Sequence, residues 1–440
     1  MRWNETDYSG WGRAIVANGR IARPEKLRDL LTLMAEAPAP AFGNRRSYGD
    51  AAQNHGGAAI DMTRLNRFLD FDPATGLLEA EAGVTIADIL RSFAPKGWFP
   101  AVMPGTGFAT LGGCIANDVH GKNHHIDGSF GAHVQSIELL KPDGTTIRVG
   151  PKRNKALFQA TLGGLGQTGI ILSARIRLAP CASAAMRVRE RRIDGLGEFI
   201  EAFEASDARY SVGWVDATAA GDRLGRGILE EAEISDTPVA SRDKRPASVP
   251  FNAPSMLLSP IVVRLFNRTY FNRVPSAGRE ALRPMQTFFF PLDRIHDWNR
   301  LYGKTGFHQF QCVIPPDGAE PVLREMLTLI SASGQASPLA VLKRLGPQGD
   351  GLLSFPREGF TLATDIRNRG NISELFRQLE KICLSAGGRP YAAKDSLGTA
   401  EAFEKSYSTL PGFRKLADQA DPGRLLETDL VRRLGIRGRS

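Results

Sequence analysis

The spacing of hydrophobic and polar positions changes in character along the chain. Residues 25–180 alternate between short apolar runs, typical of strands, and stretches with helical spacing. We predict helices at 25–35 and 154–161, strands at 58–62 and 77–82, and a hairpin that joins 134–140 to 146–149. Thr85 is placed to cap a helix that runs to about residue 94, with Asp88 in its first turn.

From about residue 185 the segments become longer and less rich in glycine. We predict strands at 210–216 and 308–315, and helices at 199–205, 321–333 and 372–386. Residues 235–255 are rich in Pro, Ser, Ala and charge, which is typical of a long loop. After Gly387-Gly388 the chain returns to glycine, aromatic and lysine residues, and it ends in a predicted helix at about 425–433.

Composition limits the class of protein. The 440 residues, 42% hydrophobic and 23% charged, suggest a globular chain of two or three domains. Scattered cysteines without a CxxC pair predict reduced, buried thiols: Cys114, Cys181, Cys312 and Cys383. The net charge of +9 suits anionic partners, but no interleaving of arginine and aromatic residues favours nucleic acid. The last arginines are expected to form a solvated basic end: Arg432, Arg433, Arg437 and Arg439.

Membrane-spanning segments are not expected. The N-terminal residues lack the apolar core of a signal peptide, and no run of about 18 apolar residues occurs. The nearest candidate, residues 256–266, is short and interrupted by Pro260 and Arg264. We therefore expect a cytoplasmic protein or one peripheral at the inner membrane, with a periplasmic location left open.

Three glycine-rich stretches lie in the first 170 residues, at 43–50, 104–113 and 163–169. The third contains GxGxxG, but a predicted helix precedes it and a strand pattern follows it. A dinucleotide-binding Rossmann motif needs the opposite order, so we reject that interpretation. Several glycine loops in one domain still favour a phosphate-containing cofactor held by backbone N–H groups.

The segment 109–131, ATLGGCIANDVHGKNHHIDGSFG, combines five glycines with three histidines and a lysine. Its small and polar residues indicate backbone wrapped around a ligand. Adjacent histidines such as His124 and His125 have poor geometry for one ion, and no carboxylate–histidine set accompanies them. We therefore expect contact with an anion or cofactor and no metal.

These motifs together carry a family resemblance. The order SYGD, AQN, PGT, HGKNHH, GSFG and TGII, followed by QFQ, LKR, LSFP, GGR and AKDS, resembles flavoproteins of the vanillyl-alcohol-oxidase type. Within that type it is similar to the oxidases of decaprenylphosphoryl-β-D-ribose, over nearly the whole chain. The resemblance implies an α+β fold with a two-subdomain, PCMH-type FAD-binding domain at 1–184. It also implies a substrate (cap) domain on an antiparallel sheet at 185–388, with a mobile lid at about 235–273, and a segment 389–440 that returns to the FAD domain.

The resemblance implies FAD as cofactor. The residues that carry over to its binding are Gly43, Arg46, Ser47, Tyr48, Gly49, Asp50, Ala51, Gly105, Thr110, Leu111, Gly112, Gly113, His120, Asn123, Ile171 and Tyr391. Asn44-Arg45 replaces the usual Leu-Gly of the first loop. That loop has no histidine, and Cys114 is expected to be a buried thiol, so we predict non-covalent FAD.

Oxidation of a secondary alcohol by a flavin also needs a proton acceptor. The resemblance implies that Lys394, His120 and Tyr48 form the catalytic group. Lys394 is expected either to act as a base, if burial lowers its pKa, or to stabilise negative charge as an ammonium. The sequence leaves these two roles open.

The implied substrate residues are Trp214, Gln309, Gln311, Lys343, Ala363 and Lys394. Lys343 would pair with a phosphate, and the glutamines would orient ribose hydroxyls. Ala363 departs from the family, because a cysteine that reacts with nitroaromatic inhibitors stands at this position in a mycobacterial member. We therefore expect weak or absent covalent inhibition.

The resemblance implies oxidation of the 2′-hydroxyl of a polyprenyl-phosphoryl ribose to the 2′-keto sugar. This is the first half of an epimerisation to an arabinose donor for cell-envelope glycan. An NAD-dependent short-chain reductase would complete the epimerisation, and a quinone or another acceptor would take the electrons. The alternatives are a flavin oxidase of another sugar, alditol or aldonolactone, and a non-catalytic flavin-binding protein. Residues 256–266 are expected to meet a polyprenyl tail at a membrane surface.

Overall fold

The computed structural model describes residues 2–239 and 246–438. Its strands, in chain order, are β1 (Asn4–Ser9), β2 (Val16–Ala22), β3 (Ala41–Phe42), β4 (Ala58–Asp61), β5 (Phe68–Asp72), β6 (Leu77–Glu81), β7 (Trp98–Pro100), β8 (Val134–Leu140), β9 (Thr146–Val149), β10 (Ile170–Pro180), β11 (Ala185–Ile193), β12 (Tyr210–Val215), β13 (Gly227–Ser235), β14 (Ala247–Ser248), β15 (Arg279–Pro284), β16 (Ile295–His296), β17 (Phe307–Ile314), β18 (Ala336–Leu345), β19 (Gly359–Arg367) and β20 (Arg389–Pro390).

The α-helices, in chain order, are α1 (Leu27–Glu36), α2 (Ile86–Phe93), α3 (Leu111–Ala116), α4 (His124–Asp127), α5 (Lys155–Thr161), α6 (Leu196–Ala205), α7 (Pro260–Asn272), α8 (Met285–Phe289), α9 (Ala319–Ala332), α10 (Ile372–Ser385), α11 (Ala400–Ser406), α12 (Leu410–Ala420) and α13 (Asp429–Arg433). No helix in the described ranges is long and apolar enough to span a bilayer.

Two sheets form the first part of the chain. One has the strand order β1-β2-β4-β3, and the other has the order β5-β6-β10-β8-β9, with β7 also paired to β10. The predicted hairpin is confirmed, with Ile137 opposite Val149. The Thr85 cap is confirmed as well, since its side chain accepts a hydrogen bond from the Asp88 N–H. Helix α5 precedes the third glycine stretch and β10 follows it, so the order of elements is indeed the reverse of a Rossmann motif.

An eight-stranded antiparallel sheet dominates the second part, in the order β15-β11-β13-β12-β18-β19-β17-β20. One face packs against helices α6, α9 and α10 in a core that contains Phe310, Leu342 and Leu362. Because side chains alternate between the faces of a strand, Gln309, Gln311, Lys343 and Ala363 lie on the opposite face. The α+β class expected from the sequence is confirmed.

The predicted domain limits remain a proposal. The limit near residue 184 falls between β10 and β11, and β20 adds an edge strand to the eight-stranded sheet. Beyond β20 the chain packs against Ala51, Ala160 and Leu165 of the first part, through a cluster that includes Phe413 and Val431. These contacts support a C-terminal segment that returns to the first domain.

The C-terminal end differs from the expectation in two ways. The last helix begins at Asp429, not at about 425, because the Asp421 carboxylate accepts hydrogen bonds from the Leu425 and Leu426 N–H groups and holds a turn there. Two of the four arginines, Arg433 and Arg437, are not part of a solvated end, whereas Arg432 is exposed. Arg437 is 2% exposed and forms ion pairs with Asp418 and Asp421, and Arg433 forms an ion pair with Asp50. Arg439 lies outside the described residues.

The described part of 235–255 contains the short strand β14, and the segment after it contains a helix that the sequence did not indicate. Strand β14 pairs in parallel with β16, and residues 240–245 lie outside the described residues. Pro260 does not interrupt a helix; it occupies the first turn of α7, where a proline is compatible with helical backbone. The expected lid therefore includes a helix of 13 residues.

Candidate functional site

A cavity of about 460 Å³ lies between the loops of the first part and the free face of the eight-stranded sheet. This volume is typical of a cofactor or ligand site. The sequence-predicted residues that line it are Gly43, Arg46, Ser47, Tyr48, Ala51, Gly105, Thr110, Gly112, Gly113, His120, Ile171, Trp214, Gln309, Gln311, Lys343, Ala363, Tyr391 and Lys394. Side chains from both halves of the sequence thus converge on one cavity.

Four predicted residues lie behind the cavity wall instead. A Cβ at Gly49 would stand 1.9 Å from the Asp395 carbonyl oxygen, so the first loop and the AKDS loop touch there. Asp50 forms an ion pair with Arg433 at 2.7 Å. Leu111 is fully buried in the core, and the Asn123 amide donates to the Ala101 carbonyl. These residues hold the wall in place.

The first two glycine loops pack closely against each other. A Cβ on Gly43 would lie 2.1 Å from Thr110 Oγ1, so only glycine permits this approach. Thr110 in turn accepts a hydrogen bond from the Gly113 N–H at 3.2 Å and caps α3. A Cβ on Gly105, by contrast, would meet no atom within 4 Å. The loops therefore present backbone to the cavity.

His120 forms part of the wall between the two halves. Its Nε2 lies 3.2 Å from Gln311 Nε2, and its ring centroid lies 5.4 Å from those of Tyr391 and Phe355. Burial, together with the charges of Lys343, His124 and Lys394, lowers the pKa of His120 well below its usual value. The imidazole is therefore neutral at pH 7. Since the Gln311 amide donates to Nε2, the ring carries its proton on Nδ1.

The other two histidines of HGKNHH support this wall. His124 Nδ1 accepts a hydrogen bond from the Gly346 N–H at 3.0 Å, and His125 Nε2 lies 3.0 Å from the Ala208 carbonyl oxygen. Burial lowers the pKa of His124 to about 4, helped by the charge of Lys343. Within residues 2–239 and 246–438, no three His, Cys, Asp or Glu side chains are grouped so that they could hold a metal ion.

Lys394 is the most strongly perturbed cation of the cavity. Its Nζ lies 3.7 Å from the centre of the Tyr48 ring. Burial lowers the pKa of Lys394 to about 7, and the charge of Lys343 adds to that effect, whereas Asp365 opposes it. Tyr48 has a pKa raised well above 10, chiefly by burial, so it stays a neutral phenol. An amine that titrates near pH 7 is suited to accept or hold a proton.

Asp365 is a site residue that the sequence reasoning did not single out. It is fully buried, and it accepts hydrogen bonds from Gln309 Nε2 and, at 3.3 Å, from the Tyr302 hydroxyl. Burial raises the pKa of Asp365 to about 7, against the stabilising effect of Gln309 and Lys394. Only the pairing of β17 with β19, which sets Asp365 opposite Gln309, could have indicated this role.

Lys122 lines the cavity, in keeping with the contact to an anion or cofactor expected of its segment, and so does Asp293, which the sequence did not indicate. Lys122 donates to the Phe288 carbonyl oxygen at 2.6 Å, and burial lowers its pKa to about 8. Burial likewise lowers the pKa of Lys343 to about 8. Asp293 accepts hydrogen bonds from Thr106 and from the Gly107 N–H at 2.8 and 2.7 Å. No local pattern in the sequence predicts the contact between Asp293 and Gly107, because 186 residues separate them.

The cavity residues fit a flavin dinucleotide. Three buried polar atoms on lining residues have no hydrogen-bond partner within the described part of the chain: Arg46 Nε, Asn117 Oδ1 and His120 Nδ1. Buried polar atoms of this kind are normally satisfied, so a bound polar molecule is expected beside them. The glycine loops add the exposed backbone that a pyrophosphate needs.

Comparisons with known proteins agree with this geometry. The FAD binding domain family matches residues 20–150, and the D-arabinono-1,4-lactone oxidase family matches residues 300–434. FAD is therefore the cofactor, and the chain is an FAD-dependent oxidoreductase.

Among relatives, decaprenylphosphoryl-β-D-ribose oxidase of Mycolicibacterium smegmatis is 36% identical over 97% of both chains. L-gulono-1,4-lactone dehydrogenase of Mycobacterium tuberculosis is 21% identical over 97% of this chain and 98% of its own. The match to the first relative covers nearly the whole chain, so it includes both the first part and the eight-stranded sheet. The chain thus belongs to the family of FAD-dependent oxidoreductases that includes decaprenylphosphoryl-β-D-ribose oxidase.

Proposed function

We propose that this protein oxidises the 2′-hydroxyl of a polyprenyl-phosphoryl ribose to the 2′-keto sugar, the first half of an epimerisation to an arabinose donor for cell-envelope glycan. The observation that carries the proposal is the cavity itself, which is lined by Lys394 and Tyr48 as well as by Lys343 and Gln311. The relative that is 36% identical acts, by its name, on decaprenylphosphoryl-β-D-ribose. Bound FAD supplies the acceptor for the hydride that leaves carbon 2′.

Lys394 takes the proton from the substrate hydroxyl in this proposal. Its pKa of about 7 leaves a large neutral fraction at physiological pH, and only the neutral amine can accept a proton. Asp365 and Gln309 hold this region of the sheet together, since the Gln309 amide donates to the Asp365 carboxylate. The ring of Tyr48 lies against the amino group of Lys394 and fixes the position of Nζ.

The phosphate end of the substrate is assigned to Lys343, with Lys122 as a second cation at the cavity. Gln311 is held by His120 and Thr361 through its amide nitrogen, so its amide oxygen is presented to a ribose hydroxyl. Trp214 donates to the Pro338 carbonyl oxygen at 2.8 Å and stands against Tyr270, which gives the pocket an aromatic wall. Ala363 leaves space and offers no thiol in this wall.

Non-covalent attachment of FAD is part of the proposal. The first glycine loop contains no histidine, and Cys114 is fully buried. Burial raises the pKa of the Cys114 thiol above its usual range, so the nucleophilic thiolate does not form there. We further propose an NAD-dependent short-chain reductase as the partner that completes epimerisation, a quinone or similar electron acceptor, and peripheral contact with the inner membrane. These partners are supported by the name of the 36% identical relative: a lipid-linked sugar is found at a membrane, and its oxidation needs an electron acceptor.

Anaerobic reduction of the flavin tests the proposal. Farnesylphosphoryl ribose should bleach the oxidised flavin absorbance of the purified protein, and D-arabinono-1,4-lactone should not. The second candidate function, oxidation of an aldonolactone, is favoured by the family match at 300–434 and by the lactone dehydrogenase relative. Bleaching by the lactone alone would establish that second function. Protein that binds FAD but is bleached by neither compound would contradict both.

A further inference from the structure

Helix α7 and the turn before it expose several large apolar side chains within eleven residues of sequence. Six large hydrophobic side chains are exposed between residues 256 and 266: Met256 (74%), Leu257 (45%), Ile261 (77%), Val262 (39%), Leu265 (65%) and Phe266 (48%). Single exposed hydrophobic residues are ordinary, but a cluster of this size marks an interaction surface. We call these six residues the α7 apolar face.

The inner side of α7 is firmly anchored, so the exposed face does not result from a helix that has failed to pack. Val263, Asn267 and Phe271, spaced by four residues, are buried. The Asn267 amide donates to the Asp216 carboxylate at 2.7 Å in a buried contact. Ile261 and Leu265 lie on the opposite side of the helix, since residues two positions apart differ by about 200° around its axis. In most surface helices the outward side is polar, but in α7 the outward side carries exposed apolar residues.

Charge identifies the occupant. Residues 249–273 contain Arg264, Arg268 and Arg273 and no Asp or Glu. Arg273 is neutralised inside the protein by Glu190 and Glu230. Arg264 and Arg268 are exposed, and they lie on one flank of the apolar face, four residues apart. An apolar face bordered by arginines is the pattern of a helix that lies in the plane of an anionic bilayer.

We propose that the α7 apolar face rests in the surface of a bilayer that contains anionic lipid. This deepens the peripheral membrane contact of the proposed function, but it rests on α7 and not on the identity of the sugar. Tyr270, on the inner side of the same helix, lines the cavity and stands 4.7 Å from Trp214, measured between ring centroids. Docking would thus bring the cavity to within about one helix diameter, ~10 Å, of the lipid surface.

Flotation of the FAD-loaded protein with vesicles tests the docking. Wild-type protein should float with vesicles of phosphatidylglycerol and phosphatidylcholine, and less with phosphatidylcholine alone. The variant I261E/L265E should bind the mixed vesicles at least about tenfold more weakly, because it places two charges in the α7 apolar face, which would lie in the bilayer. The variant R264Q/R268Q should also lose about tenfold or more at low salt.

The matched control is V16E/L69E. It adds the same charge at two exposed apolar residues far from α7 in sequence, Val16 (59%) in β2 and Leu69 (49%) in β5. It should float as the wild type does. Melting curves and FAD content should be unchanged in I261E/L265E. Because flotation is measured without any sugar substrate, its result is independent of the proposed function. Equal binding by I261E/L265E and wild type, or no wild-type binding to the mixed vesicles, would overturn the proposal. A wild-type dimer that I261E/L265E converts to monomer, without vesicle binding, would assign the face to a second copy and overturn it as well.

Discussion

Arg433 joins three parts of the chain that the sequence keeps far apart. Its guanidinium donates to both carboxylate oxygens of Asp50 at 2.8 and 2.7 Å, to Asp395 at 2.9 Å and to the Gly398 carbonyl oxygen at 2.7 Å. Asp50 follows Tyr48 by two residues, and Asp395 follows Lys394 directly. We predict that Arg433→Met destabilises the protein and displaces both loops.

The magnitude follows from burial. The Asp50 and Asp395 side chains are 5% and 13% exposed, so their charges have little access to water once the arginine is removed. Breaking a buried pair by removing one partner costs about 3–5 kcal/mol. With an unfolding entropy of about 0.5–0.9 kcal/mol/K for a cooperative unit of this size, the melting temperature should fall by about 3–10 °C. Because the loops border the cavity, the variant should also retain FAD less tightly.

The assay is thermal unfolding with added FAD, together with titration of the apoprotein with FAD. The matched control is Arg432→Met, the neighbouring arginine, whose side chain is 43% exposed and pairs with Asp429 on the surface. Its loss should cost less than about 1 kcal/mol. The double variant D50N/R433M should recover part of the stability, because it leaves one buried charge fewer. Equal melting temperatures for Arg433→Met and Arg432→Met would refute this reasoning.

Four further outcomes are expected. Flavin reduction should accelerate as the pH rises through about 7, since burial lowers the pKa of Lys394 to about 7 and the amine is neutral above that pH. Lys394→Met should reduce the flavin slowly at every pH. Stopped-flow rates of the wild type that fall as the pH rises would show that the ammonium is the active form. Lys343→Met should raise KM for the phosphorylated substrate about 10- to 100-fold, with a smaller change in kcat, because a charge-assisted contact is lost; an unchanged KM in steady-state assays would remove Lys343 from the phosphate site. Mass spectrometry after turnover with a nitroaromatic inhibitor should show no adduct on the wild type and one adduct on Ala363→Cys, and an adduct on a native cysteine would contradict this. Acid precipitation should release FAD into the supernatant, whereas a yellow pellet would show covalent attachment.

Local chemistry explains what the sequence predicted. Thr85 and Asp88 are three residues apart, and the turn Pro142-Asp143-Gly144 joins adjacent strands, so both features depend on neighbours in the chain. The lining residues of the glycine loops and the AKDS loop came from a family resemblance, and the cavity brings most of them together.

Long-range contacts explain what the sequence did not predict. Arg433 appeared to belong to a solvated end because its partner Asp50 is 383 residues away. Asp365 becomes a site residue only when β17 and β19 pair. Helix α7 was missed because a proline and an arginine within an apolar run suggested an interruption, whereas Pro260 stands at its first turn and Arg264 on its exposed flank. Such features are decided by packing and not by periodicity.

Position-specific deuteration of the substrate tests the central claim most directly. In anaerobic single-turnover experiments, farnesylphosphoryl ribose with deuterium on carbon 2′ should reduce the flavin more slowly than the unlabelled compound, because the hydride leaves from that carbon. Deuterium on carbon 3′ should leave the rate unchanged. A slower reduction with the 3′ label alone, or flavin that farnesylphosphoryl ribose does not reduce at all, would contradict 2′-oxidation by this protein.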